Sequence, residues 1–106
     1  MKKIYYVDID ETICKYPKNR EYELAEPIVE NIAKINMLYD EGNVIVYWTA
    51  RGSTTGIDWT SLTASQLKLW GAKYTELKLK KPHYDFFIDD KAVNSKTFFG
   101  DWDEKE

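Results

Sequence analysis

At 106 residues the chain has room for one domain with a real core, but not for a core and a second lobe. Its formal net charge of −3 and a pI near 5.2 argue against a general nucleic-acid binder, which carries a basic footprint. A lone cysteine, Cys14, rules out an internal disulfide and fits a reducing, cytoplasmic setting; no apolar run has the length of a membrane span, and the N-terminus shows no signal-peptide pattern.

The first predicted element is a strand over Ile4-Tyr5-Tyr6-Val7, a continuous apolar and aromatic run of the kind shown by a parallel strand covered on both faces. Asp8 and Asp10 follow at its carboxyl end, the end at which open α/β sheets bind ligands. Two acids this close repel, and a cation between them is the economical relief. Magnesium suits the position, because it takes one or two carboxylates together with waters and phosphate oxygens. A calcium loop also begins Asp-x-Asp, but Ile13 stands where such a loop needs glycine.

Glu11 to Leu24 shows no sustained period and holds Lys15, Pro17, Lys18, Asn19 and Arg20, so a turn and an exposed flap or hairpin are predicted over about residues 13–25. Pro27 fits the first turn of a helix on which Ile28, Ile32, Ile35 and Leu38 recur, with Gly42 as its left-handed stop. Asn43 to Trp48 is β-branched and aromatic, a second buried strand, and it runs into Thr49-Ala50-Arg51-Gly52. Asp58 suits the N-cap of a second helix, along which Trp59, Leu62, Gln66 and Leu69 keep approximate helical spacing up to Gly71. A third strand is predicted over Tyr74 to Leu79. After Lys80-Lys81-Pro82 a fourth is predicted over Tyr84 to Ile88, ending at Asp89-Asp90. The acidic tail from Gly100 to Glu106 is expected to fray after Trp102.

Strands alternating with helices imply βαβ units and a parallel sheet whose carboxyl ends share one edge. That edge would gather Asp8, Asp10, Thr49, Asp89 and Asp90, with Lys81 entering from a neighbouring loop. Such a set suits phosphoryl transfer. One carboxylate attacks phosphorus, a second moves protons, a hydroxyl and backbone N–H groups hold phosphoryl oxygens, and a lysine and magnesium offset the charge.

Asp8-Ile9-Asp10-Glu11-Thr12, Thr49, the lysine before Pro82 and Asp89-Asp90 together resemble the four motifs of the haloacid dehalogenase-like (HAD) phosphatase superfamily, over residues 4 to about 95. The resemblance implies a three-layer, Rossmann-like α/β sandwich and a magnesium-dependent phosphomonoesterase. Carried over position by position, it makes Asp8 the nucleophile and a magnesium ligand. Asp10 becomes the general acid/base, with its backbone carbonyl also on the metal. Thr49 becomes the phosphate-binding hydroxyl, with Ala50 and Arg51 beside it. Lys81, with Lys80 as the fallback, becomes the charge-neutralising lysine, Asp89 a metal ligand and Asp90 a direct or water-mediated one. Asn94 would orient the acid pair. Glu11 departs from the pattern, since many members carry glycine there. The intervals from Asp10 to Thr49 and from Thr49 to Lys81 leave no room for a cap domain, which resembles the capless subgroup. An open site suits a small or polymer-borne phosphomonoester, with a sugar phosphate as one guess, or calls for a second subunit to cover it. Tyr16, Tyr22, Arg20 and Arg51 are then expected to supply the substrate grip.

The remaining residues have plainer readings. Lys78, Lys80 and Lys81 form mainly a solvated face, Lys91 pairs with a neighbouring acid, and His83 is a turn residue. Cys14 has no histidine partner by spacing and so is not a thiol nucleophile. The tryptophans and most tyrosines are apolar mass rather than a stacking platform. Two other functions stay open: a phospho-acceptor signalling domain, disfavoured because its acid pair should come first, and a catalytically idle binding or assembly module.

Overall fold

The computed structural model of the chain describes residues 2–100. Strand β1 (Ile4–Val7) leads through a tight turn into an antiparallel hairpin of β2 (Cys14–Lys15) and β3 (Glu26–Pro27), which is the expected flap. Helix α1 (Val29–Asp40), strand β4 (Val44–Trp48), helix α2 (Thr60–Leu69), strand β5 (Glu76–Lys78) and a short helix α3 (Ser95–Phe99) follow. The three longer-range strands form a parallel sheet in the order β1-β4-β5, with Tyr5 beside Ile45 and Tyr47 beside Leu77. The expected fraying after Trp102 falls outside the described residues.

Alternation along the strands sorts the side chains. Tyr5, Val7, Ile45, Tyr47 and Leu77 turn to one face, where Ile32 and Ile35 of α1 and Leu67 of α2 meet them, together with Ile9, Ile13 and Cys14. Each such buried aliphatic side chain stabilises the fold by roughly 1.5–3 kcal/mol. The other face carries Ile4, Tyr6, Val46 and Trp48, and there Ile4 is 67% and Tyr6 54% exposed. The α/β class and the parallel sheet are therefore found, but the three-layer arrangement is corrected to two layers among the described residues. The reason is topological. Both crossovers move the same way across the sheet, from β1 to β4 to β5, so their helices land on the same side. Helix α3 joins that side too, packing Phe98 and Phe99 on the core while Lys34 of α1 donates to the Phe98 carbonyl at 2.8 Å.

Element boundaries shift for identifiable reasons. Pro27 pairs within β3, Ile28 takes an extended conformation, and α1 begins at Val29. Gly42 and Gly71 stop their helices with φ of 96° and 72°, as expected of left-handed stops. The Asp58 carboxylate accepts from the Thr60 N–H at 2.9 Å, capping α2 from just outside it. The buried stripe of α2 is Thr63, Gln66 and Leu67, whereas Leu69 is 83% exposed. Polar residues occupy that stripe because a buried guanidinium lies beneath them.

The predicted fourth strand is absent. Residues 84–88 make no strand, with Phe86 85% and Ile88 96% exposed. After β5 the chain turns left-handed at Lys80 (φ 65°), and the Lys81 N–H donates to the Thr49 carbonyl at 3.0 Å. That bond carries the chain across the end of β4 instead of back alongside the sheet, and Pro82 has no N–H with which to pair.

Candidate active site at the carboxyl edge of the sheet

The turn after β1 positions the acid pair. The Thr12 and Ile13 N–H groups both return to the Ile9 carbonyl, at 3.1 and 2.9 Å, and Ile9 is fully buried between the two acids. Asn31, buried on α1, donates to the Thr12 carbonyl at 2.9 Å and holds the turn from the helix side. Asp8 and Asp10 consequently line one cavity of about 320 Å³ together with Glu11, Arg20, Tyr22 and Ser95. A second cavity of about 210 Å³ is lined by Lys81, Pro82, His83 and Tyr84, and Asp8 and Ala50 line both.

Asp10 is gripped from three directions. Arg51 approaches with Nε at 3.1 Å from Oδ2 and Nη2 at 2.9 Å from Oδ1, a two-pronged ion pair. The Tyr16 hydroxyl donates to Oδ1, and the Cys14 thiol donates weakly to it at 3.5 Å. Arg51 is itself fully engaged. Its Nη1 donates to Thr63 Oγ1 at 3.1 Å and Gln66 Oε1 at 2.6 Å, its Nη2 reaches the Tyr16 hydroxyl at 3.4 Å, and only 1% of the residue is exposed. Gln66 in turn donates to the Tyr22 carbonyl at 2.6 Å, and the Tyr22 ring lies under the guanidinium at 4.8 Å. Helix α2, the turn after β1 and the flap are thus tied through one arginine.

These contacts separate the two acids electrostatically. Burial pushes the Asp10 carboxyl upward, but the bonds and charge of Arg51, followed by the bonds from Tyr16 and Cys14, outweigh it and hold Asp10 below the ordinary 3.8. Asp8 goes the other way: burial raises it, and Lys81, with Nζ at 4.0 Å, only partly counters that. Burial, with the Asp10 charge beside it, pushes the Cys14 thiol up to about 12. Adjacent acids held apart in this way are a usual basis for dividing proton-transfer roles.

The sequence-predicted residues divide accordingly. The structure brings together Asp8, Asp10, Ala50, Arg51 and Lys81. Lys81 is 14% exposed over Asp8, with the Trp48, Tyr84 and Phe87 rings 5.4–5.8 Å from its ammonium, while Lys80 is exposed and its charge is felt at Asp58. Thr49 is fully buried beneath the site, lines neither cavity, and accepts the Arg51 N–H at 3.2 Å. Arg51, expected at the phosphate, instead spends its donors on Asp10 and α2. Of the flap residues, Tyr16 holds Asp10, whereas Arg20 stays half-exposed at the cavity. Asp89 and Asp90 line neither cavity and sit on the exposed segment after Ile88, since the strand meant to deliver them does not form. Asn94 caps α3, accepting the Lys96 N–H at 2.9 Å. His83 lines the second cavity.

The fit to magnesium rests on Asp8. Its carboxylate is 39% exposed and has no short ion pair, whereas the Asp10 carboxylate is already satisfied by Arg51 and Tyr16. Among the described residues, no three of His, Cys, Asp or Glu gather closely enough to hold a metal ion. Thr63 and Gln66, which carry Arg51, were not legible as site residues. Their one signal is that polar side chains fall on a helix face packed on a hydrophobic core.

No family model matches the chain, and no curated protein matches it. Among solved structures it is similar to a crystallised structure-determination target from Vibrio cholerae, at 28% identity and a TM-score of 0.78, over 92% of this chain and 87% of that one. The likeness supports a compact α/β protein with a parallel sheet and a Rossmann-like layout.

Proposed function

We propose that this chain is a phosphomonoesterase of the HAD-like kind, in which Asp8 forms an aspartyl-phosphate that water then hydrolyses. One observation carries the reading: the Asp8 carboxylate lies where the two cavities meet, with Asp10 on one side and the Lys81 ammonium at 4.0 Å on the other. In this reading the phosphoryl group sits against Asp8, Lys81 and the Ala50 backbone, and the alcohol portion occupies the larger cavity. An Asp8 oxygen bonds to phosphorus as the ester P–O bond breaks, and Lys81 offsets the charge of the transferring group. The departing oxygen is protonated from Asp10, which takes that proton from the substrate monoanion. Asp10, returned to the ionised form that Arg51 favours, then accepts a proton from the water that cleaves the acyl phosphate. Magnesium belongs to this proposal through Asp8, with Asp89 and Asp90 as the further acids near in sequence. When bound, it would supply positive charge between Asp8 and the phosphate. The test is magnesium-dependent phosphate release from a panel of phosphomonoesters, run beside Asp8→Asn. Turnover that requires Asp8 supports the reading, and a folded protein inert across the panel contradicts it.

A second reading has one observation in its favour. Both Asp10 oxygens are already held and Asp89-Asp90 stand outside the site, which suits a phospho-acceptor or binding module that does not hydrolyse its phosphoenzyme. A phosphorylated Asp8 that persists for hours in buffer would select that alternative.

A further inference from the structure

Glu11 adopts φ 63°, a left-handed conformation that glycine takes freely and a glutamate does not. A strained backbone at a site edge points to a side chain that is needed there. The Glu11 carboxylate lines the larger cavity next to Asp10 and faces the Arg20 guanidinium of the flap across 3.6 Å, with side-chain exposures of 43% and 53%. That separation is too long for a hydrogen bond, so both forks keep free donors and acceptors directed at the space where a leaving group would sit.

The remaining walls restrict what can bind. Asp8, Asp10 and Glu11 set three carboxylates on the cavity, and Arg51 is consumed by Asp10, so a leaving group with its own negative charge is repelled. Tyr22 offers no free ring on which to stack a base, because the Arg51 guanidinium covers its face at 4.8 Å and Trp59 packs against it edge-on at 5.0 Å. What the cavity does present is an acceptor and a planar donor side by side. This arrangement matches neighbouring hydroxyl groups, one donating to Glu11 while another accepts from Arg20.

We propose that Glu11 and Arg20 form a hydroxyl-recognition pair that selects phosphate esters of neutral polyhydroxy alcohols, sugars or cyclic polyols, over nucleotides and acid-bearing esters. This rests on the phosphomonoesterase reading for its chemistry but not for its binding. The experiment therefore has two arms. In the first, kcat/KM is measured for a hexose monophosphate, a nucleoside monophosphate and para-nitrophenyl phosphate with the wild type, Glu11→Gly and Arg20→Met. The wild type should prefer the hexose ester. Each variant should lose about tenfold or more of the hexose-to-aryl preference, as expected when a charged hydrogen-bonding partner is removed. Glu11→Gly should also unfold at a higher temperature than the wild type, because its backbone strain is relieved. A wild-type preference for the nucleotide, or a hexose-to-aryl ratio unchanged in both variants, overturns the proposal.

The second arm follows the backbone amide resonances of Glu11 and Arg20 while myo-inositol and free hexose are added. Shifts that saturate in the wild type and vanish in Arg20→Met support the recognition pair even if no ester is turned over, in which case only the phosphatase reading falls. Neither shifts nor turnover with any ester overturns both.

Discussion

Arg51 and Asp10 form a buried, two-pronged ion pair, with Nη2–Oδ1 at 2.9 Å and Nε–Oδ2 at 3.1 Å, 41 residues apart in sequence. It joins the loop after β4 to the turn after β1, and it is the strongest polar tie between the site and the fold. Removing one partner leaves the other as an uncompensated buried charge. Arg51→Met should therefore destabilise the protein by about 3–5 kcal/mol in urea unfolding, with Arg51→Lys recovering only part of the loss because a lysine cannot make the fork. A loss below about 1 kcal/mol would mean that the pair is no structural tie.

The same pair sets an acid limit. Asp10 is held below 3.8, so its contribution is fully present above that value and is lost as the pH falls through its lower folded-state value. Unfolding free energy measured from neutral to acid should show a decline below about pH 4 that Asp10→Asn lacks. Parallel declines in the two proteins would assign the acid sensitivity elsewhere.

Asp8 carries the opposite sign. Burial raises its folded-state value, so the stability it contributes is present when it is protonated and is lost as the pH rises through that raised value. At neutral pH the ionised Asp8 is a destabilising group. Asp8→Asn is thus expected to raise the thermal midpoint at pH 7 while abolishing any turnover, and to lose that advantage in acid. A lower midpoint for the variant at neutral pH would refute this account of Asp8.

Two buried groups give cleaner checks. The Cys14 thiol is fully buried and pushed up to about 12, so a thiol reagent at neutral pH should label it only after denaturant is added. Rapid labelling of the native protein would show that the flap opens far more than its contacts to Asp10 imply.

The Tyr47 hydroxyl is buried with no hydrogen-bond partner among the described residues, although the ring packs edge-on against Tyr74. Tyr47→Phe keeps the ring and removes the orphaned group, so it should stabilise the fold by about 1 kcal/mol in chemical denaturation. Destabilisation of that size would reveal a partner for the hydroxyl.

Legibility in the sequence followed the range of the forces involved. Local patterns located β1, β4, both long helices and the glycine stops at Gly42 and Gly71, because periodicity and left-handed backbone are written within a few residues. The apolar run Ile4–Val7 read as covered on both faces, yet whether a second face is covered depends on where crossovers land, and that lies outside the run. Residues 84–88 carry a strand's composition but no strand, because left-handed Lys80 and the bond from Lys81 to Thr49 redirect the chain first. In the site, Asp8, Asp10 and Lys81 were found from spacing along strand ends. Arg51 was read as a phosphate ligand because its acceptors, Thr63 and Gln66, lie on a helix that meets it only in the folded chain.

The most direct measurement is on Asp8 itself. The protein is incubated with magnesium and a turned-over phosphomonoester, quenched in acid within the first turnover and reduced with borohydride, which converts an aspartyl-phosphate to homoserine. The peptide spanning Asp8 is then read by mass spectrometry. The account predicts homoserine at Asp8, dependent on substrate and absent when Lys81 is replaced by alanine. Phosphate release without any modification at Asp8, or homoserine at Asp10 instead, would contradict it.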